Sequence, residues 1–310
     1  MKILKPKFWD INKISFFSII LLPFSLIYQL LIIIKIYLTK EINFSIPIIC
    51  VGNIYIGGTG KTPLSIKIFQ LLKELKMEPI VIKKDHKNQK DEILLLKKYC
   101  NVLVSRNRSD GILEAQKKGF NVVILDDGYQ DFKIKKKINF ICFNLKQKIG
   151  NGFTIPAGPL RQNLNSLKNA EMIFLNGKKD SYFEKQLKKY NSKLNYMYFE
   201  YTSKNLNKYQ NDKLVVFAGI GNPKNFFNFL KENKLNIVKE ISYPDHYCYT
   251  EKNLLYLNET AKSCGAKLIT TEKDYLRILP RYQSNIEFVS IEANLEDNNF
   301  LKKYLQETIQ

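Results

Sequence analysis

The stretch that most constrains this chain is 52–62, GNIYIGGTGKT, followed by Pro63. The apolar run just before it, 46–51, has the pattern of a buried strand. After it, LSIKIFQLLKEL carries Leu64, Ile68, Leu71, Leu72 and Leu75 at helical spacing. A strand that turns through glycines straight into a helix makes a cradle for phosphate. Glycine lets backbone N–H groups approach an anion, and the helix N-terminus favours negative charge. Gly57, Gly58, Thr59 and Gly60 line such a cradle, Lys61 reaches the terminal phosphates, and Thr62 is placed to hold Mg²⁺. The usual spacing has glycine where this chain has Tyr55, so the front of the loop is irregular. The plainer alternative is a glycine-rich turn with a surface lysine. The flanking strand and helix favour nucleotide binding.

Farther along, the apolar run VVIL ends in Asp126 and Asp127. A carboxylate at the end of a buried strand faces the Mg²⁺ carried by a nucleotide. Two aspartates before glycine also form ordinary turns, but the phosphate cradle upstream favours the metal. Strand patterns at 79–84, 101–105, 121–130 and 137–144 alternate with the helical stretches LLLKKY and DGILEAQKKG. That alternation predicts a P-loop NTPase-like α/β fold, a mainly parallel sheet with helices on both faces. In such sheets ligands sit at the carboxyl ends of the strands, where the loop, Asp91 and the aspartate pair converge. The sequence turns polar at 193–209. A second, smaller α/β domain then begins with KLVVFAGIGNP, and an amphipathic helix is expected at 295–308. The expected division is 1–38, 39–200 and 201–310.

The first of those segments is a membrane-associated helix by composition. From Phe16 to Ile34 the chain runs 19 residues without a charge, close to the roughly 20 needed to cross a bilayer's hydrocarbon core. Pro23, Ser18, Ser25, Tyr28 and Gln29 interrupt it, and lysines flank both ends (2, 5, 7 and 13; 35 and 40). A helix lying in the membrane surface therefore fits as well as a span, and a buried core helix is the alternative to both.

Net charge is +20, yet only five of the 49 basic residues are arginine, leaving 44 lysines. A base-reading protein aims arginines at base edges from a recognisable module, and neither is present, so no nucleic-acid partner is expected. The five cysteines are scattered without a CxxC, which argues against a disulfide framework or zinc site and for a reducing compartment. There are two histidines, His86 and His246. A lone histidine is usually structural. His246, between Asp245 and Tyr247 in a proline-led loop, has a carboxylate neighbour that raises a functional role.

Taken together, LLPFSLIY, GNIYIGGTGKTP, VVILDDGYQ, IPAGPLRQNLNSLKNA, VVFAGIGNPKNFF, YPDHYCYT and TTEKDYLR resemble the tetraacyldisaccharide 4′-kinase family. The motifs follow the family's order across nearly the whole chain. The resemblance implies a two-domain α/β enzyme at the cytoplasmic face of the inner membrane. It would transfer the γ-phosphate of ATP, with Mg²⁺, to the 4′-hydroxyl of a lipid-linked disaccharide 1-phosphate, a lipid A precursor. It implies phosphate and Mg²⁺ contacts from Thr59, Gly60, Lys61 and Thr62, and metal contacts from Asp126 and Asp127. His246 matches the family histidine that partners a catalytic aspartate, for which Asp91 in KDEI is the nearest match. Lysines, or Arg161 in GPLRQ, are the candidates to meet the substrate's anionic 1-phosphate. The chain departs from the family at KKDHKN, where an SRGYGR-like stretch is usual, and the loop before Asp91 is short. Asp85 and Glu92 therefore stay open as alternative bases. The acidic loop and the His246 loop, assigned to different domains, are expected to meet across a cleft.

Two other readings compete. A P-loop ATPase or GTPase of the metal-chaperone or partitioning type also carries GGxGK[ST], but would turn over no sugar lipid. A membrane-tethered nucleotide-binding module would perform no transfer at all.

Overall fold

The computed structural model describes residues 6–11, 14–85 and 90–309. Lys2, Lys5, Lys13 and His86, with the rest of 86–89, lie outside the described residues. In order, the elements are α1 (Phe16–Leu38), β1 (Ile48–Gly52), α2 (Lys61–Glu74), β2 (Pro79–Lys84), α3 (Lys90–Tyr99), β3 (Val102–Ser105), α4 (Arg108–Lys117), β4 (Val122–Asp126) and β5 (Ile138–Asn144). There follow β6 (Met172–Asn176), α5 (Ser181–Lys188), β7 (Asn195–Thr202), β8 (Lys213–Ala218), α6 (Pro223–Glu232), β9 (Asn236–Ser242) and α7 (Glu251–Ser263). The last are β10 (Lys267–Thr271), α8 (Glu272–Tyr275), β11 (Ile286–Val289), β12 (Glu292–Leu295) and α9 (Asn298–Ile309).

The chain forms two compact units that interleave instead of following one another. The first comprises residues up to Lys83, Ser105–Glu200 and Ala293 onward; the second comprises Lys84–Val104 and Tyr201–Glu292. This differs from the sequential division at 38 and 200. The stretch 286–295 forms two strands, β11 and β12, which lie in different sheets, and α9 returns to the first unit. The short segment 84–104 moves the other way and carries Asp91 into the second unit.

Strands of the first unit run in the order β12-β7-β6-β5-β1-β4-β2. β1 is central and parallel to both neighbours, with Val51 level with Asp126 of β4 and with Phe140 of β5. All five β1 residues and all five of β4 are buried, the continuous apolar pattern expected of a parallel sheet covered on both faces. One core cluster joins Cys50, Ile54 and Tyr55 to Phe143, Leu160, Phe183 and Leu187. Burial in that low-dielectric core pushes the Cys50 thiol up to about 12, so it acts as an apolar filler.

Helix α1 reverses the expected pattern for a core helix. Its only buried residues are polar, Ser18 and Ser25, while Phe17, Phe24 and Leu31 are 63%, 58% and 59% exposed. Burying such side chains is worth about 2 kcal/mol each, so an apolar face this wide is not a stable water-facing surface. The second unit is a four-stranded parallel sheet, β11-β10-β8-β9. It is filled on one side by Phe226, Phe227 and Leu230 of α6 and on the other by Leu254 and Leu257 of α7.

Candidate active site

The loop after β1 adopts the geometry its glycines allow. Gly57 has φ +132° and Gly60 φ +100°, and Gly60 caps α2, whose first residue is Lys61. A side chain at either position would be strained. Asn53, fully buried, holds the loop from within: its Nδ2 donates to the Tyr55 carbonyl at 2.6 Å and to Thr59 Oγ1 at 3.1 Å. The Thr59 side chain is therefore directed inward. A Cβ at Gly58 would meet nothing within 4 Å, so the loop is open on that side. Tyr55, the irregular residue at the loop's front, is fully buried, and its hydroxyl bonds Asp10. Tyr55 is an anchor, which is why the usual glycine is dispensable there.

The two aspartates after β4 divide their work. Asp126 is fully buried; its Oδ1 accepts from Ser65 Oγ at 3.0 Å and its Oδ2 faces Thr62 Oγ1 at 3.4 Å. The same Oδ2 lies 2.7 Å from the ammonium of Lys83, itself 2% exposed. Asp127 sits in the left-handed region, φ +59°, an uncommon conformation that aspartate tolerates better than most residues. Its Oδ1 is 2.9 Å from Arg161 Nη1 and 3.6 Å from Lys61 Nζ. Burial raises the Asp127 carboxyl, but the charges of Lys61, Arg161 and Lys83 outweigh that and hold it well below the usual carboxylate range. Arg161, expected at a substrate phosphate, here lies on Asp127. Thr62 and Asp126 supply a hydroxyl and a carboxylate oxygen, the hard donors Mg²⁺ prefers when nucleotide phosphates and water complete its shell. That donor set fits the ion.

Asp91 and His246 come together inside the second unit, not across a cleft. Asp91 and Glu92 lie on the first turn of α3, where a loop was expected. His246 Nδ1 is 3.0 Å from both Asp91 oxygens. Asp91 is 1% exposed and is also approached by Lys273 at 3.5 Å and by Arg277 Nε at 3.6 Å. Burial alone would raise its carboxyl. The His246 hydrogen bond and the charges of Lys273, His246 and Arg277 lower it below its ordinary value. Of the alternative carboxylates, Glu92 pairs with Lys273 at 3.0 Å and Asp85 is exposed.

The remaining motifs build the His246 loop. His246 has φ +54°, and its N–H donates to the Gly219 carbonyl at 3.0 Å. Arg277 donates to the carbonyls of Gly219 and Tyr247, at 2.8 and 3.2 Å. The fully buried Asp274 accepts from Gly219 N–H at 3.0 Å and from Tyr249 Oη at 2.9 Å. GIGNP, PDHY and TTEKDYLR are thus one hydrogen-bonded assembly that holds a histidine in a strained backbone. Sequence reasoning missed Lys83, Ser65, Lys273 and Arg277 as site residues. Only Lys273 and Arg277 carried a signal, through their motif.

The LpxK family model, described as tetraacyldisaccharide-1-P 4′-kinase, matches residues 17–310. A tetraacyldisaccharide 4′-kinase of Pelagibacter ubique (strain HTCC1062) is 44% identical over 308 residues, spanning 98% of each chain. The Rickettsia bellii (strain OSU 85-389) protein of the same name is 33% identical over 316 residues, 96% of each chain. The crystal structure of Aquifex aeolicus LpxK in complex with ATP shares the fold, with TM-score 0.73 and 23% identity, covering 94% of this chain and 99% of that one. Matched by the family model over residues 17–310 and by relatives over almost its whole length, this chain belongs to the tetraacyldisaccharide-1-P 4′-kinase family.

Proposed function

We propose that this protein transfers the γ-phosphate of ATP to the 4′-hydroxyl of a lipid-linked disaccharide 1-phosphate, at the cytoplasmic face of the inner membrane. The carrying observation is the gathering of Lys61, Thr62, Asp126, Asp127 and Arg161 at one glycine-rich loop. Phosphoryl transfer asks little covalent chemistry of a protein. It asks for positioning and for charge that meets the transition state. The loop N–H groups and Lys61 hold the terminal phosphates, and Arg161 adds a second cation beside Asp127. Mg²⁺, held by Thr62 and Asp126, would neutralise the phosphate oxygens.

The 4′-oxygen bonds to the γ-phosphorus as the bond to the β–γ bridging oxygen breaks, and ADP leaves with that electron pair. The hydroxyl proton passes to the Asp91–His246 pair. Because Asp91 is 1% exposed and His246 20%, the histidine is the member an acceptor can reach. A carboxylate on Nδ1 favours the ring proton there, so the acceptor's proton goes to Nε2, which lies 3.7 Å from Asp245 Oδ2. Asp91 then stabilises the imidazolium. This reverses the expected roles, in which the carboxylate was the base and the histidine steered it. The exposed apolar face of α1 suits the bilayer in which the acyl chains of such a substrate lie.

The decisive assay follows γ-phosphate from ATP onto tetraacyldisaccharide 1-phosphate in detergent micelles. Labelled disaccharide bisphosphate is the expected product. Hydrolysis to free phosphate with no labelled lipid would favour the ATPase reading, and binding without either would favour the regulatory one.

A further inference from the structure

We propose that α1 is a positioning element of the nucleotide site, working through a polar stripe that holds the segment carrying Arg161. The inference rests on the nucleotide-site reading above and adds a device to it. Along α1 the least exposed residues are Ser18, Leu21, Leu22, Ser25, Tyr28, Gln29 and Ile32, spaced three, four and seven apart as one helical face requires. Four of them are polar, and each of those four is bonded to the segment 151–163. Ser18 Oγ accepts from Asn151 Nδ2 at 3.0 Å. Ser25 Oγ donates to the Thr154 carbonyl at 2.8 Å and accepts from Ala157 N–H at 3.0 Å. Gln29 donates to Thr154 Oγ1 at 2.9 Å, and Tyr28 donates to the Arg161 carbonyl at 3.0 Å.

The other side of the same segment is bonded to the front of the phosphate loop. Ile56 N–H donates to the Pro159 carbonyl at 2.9 Å, and Arg161 N–H to the Ile54 carbonyl at 2.7 Å. Tyr55 forms an antiparallel bridge with Leu160, and its hydroxyl returns to Asp10, just before α1. Residues 154–161 are therefore clamped between the helix and the loop, and the guanidinium of Arg161 emerges on Asp127. A helix meant only as a tether needs no such stripe. Polar groups buried along an apolar helix are costly unless bonded, and here all four reach the segment that delivers Arg161. Tyr55 at a position usually held by glycine serves the same connection.

The test is a double-mutant cycle on the full-length protein, Tyr28→Phe against Arg161→Lys, read as kcat, KM and affinity for a fluorescent ATP analogue. Liposome co-sedimentation and thermal midpoint are measured in parallel. Tyr28→Phe is expected to lower kcat by about tenfold, the weight of one partly buried hydrogen bond, with acceptor KM and liposome binding unchanged. Combined with Arg161→Lys it should add little further loss. Ser25→Ala, which breaks two bonds to the segment, is the second variant and should behave likewise. Unchanged kcat in both stripe variants, or losses that multiply with Arg161→Lys, overturns the proposal. A wild-type protein that binds no ATP analogue would instead sink the nucleotide-site reading.

Discussion

The ammonium of Lys83, at the end of β2, lies 2.7 Å from Asp126 Oδ2, and both side chains are sealed from solvent. The same oxygen faces Thr62, so a lysine shares the carboxylate expected to serve Mg²⁺.

Removing one partner of a buried ion pair leaves an uncompensated charge, at a cost of about 3–5 kcal/mol. Lys83→Met should therefore lower the urea midpoint markedly, and Lys83→Met with Asp126→Asn should lower it by less than the sum of the two single effects. Additive losses in equilibrium unfolding would mean that the two groups are not coupled.

Lys61→Ala should cost about 1,000-fold or more in phosphate transfer, since it removes the main point charge on the terminal phosphates. Asp126→Ala and Asp127→Ala should each cost at least about 100-fold. An Asp126 variant fully active at low Mg²⁺ would refute the metal assignment.

His246→Ala and Asp91→Ala should be strongly non-additive, the double variant little worse than the poorer single one, because the pair acts as a unit. KM for ATP should barely move. His246→Ala should lose more than Asp91→Asn, which keeps a hydrogen-bond partner for Nδ1. Steady-state kinetics of the wild type and these four variants decide this, and losses that multiply in the double variant would mean independent roles.

The depressed Asp127 carboxyl gives stability a defined pH dependence. A group whose folded value lies below its unfolded one contributes stability above the ordinary carboxylate range, about pH 4, and loses it as pH falls toward the folded value. Urea midpoints between pH 6 and pH 3 should fall in the wild type and fall less steeply in Asp127→Asn. Parallel profiles would show that Asp127 is not the linked group.

Deleting residues 1–38 should shift the protein from liposomes to the soluble fraction, as the exposed face of α1 requires. It should also weaken binding of a fluorescent ATP analogue, because it strips the bonds that Ser18, Ser25, Tyr28 and Gln29 make to 151–163. Full nucleotide affinity in the truncated protein would show that α1 does not support the nucleotide site.

What could be read from sequence was local. Glycines at 57 and 60 permit positive φ, an apolar run before them buries as β1, and a helical repeat after them becomes α2. These are preferences of neighbouring residues, which the chain carries wherever it folds. The Asp126–Asp127 turn and the apolar character of α1 were legible for the same reason. What only the tertiary structure decided was which distant groups meet. Asp91 and His246 are 155 positions apart, and their pairing depends on α3 joining the second unit. Lys83 reaches Asp126 because β2 pairs with β4 in one register. In α1, composition announced a greasy helix, yet not that its serines, tyrosine and glutamine would turn inward. That direction follows from the hydrogen-bonding groups offered by 151–163, and no spacing within α1 itself encodes them.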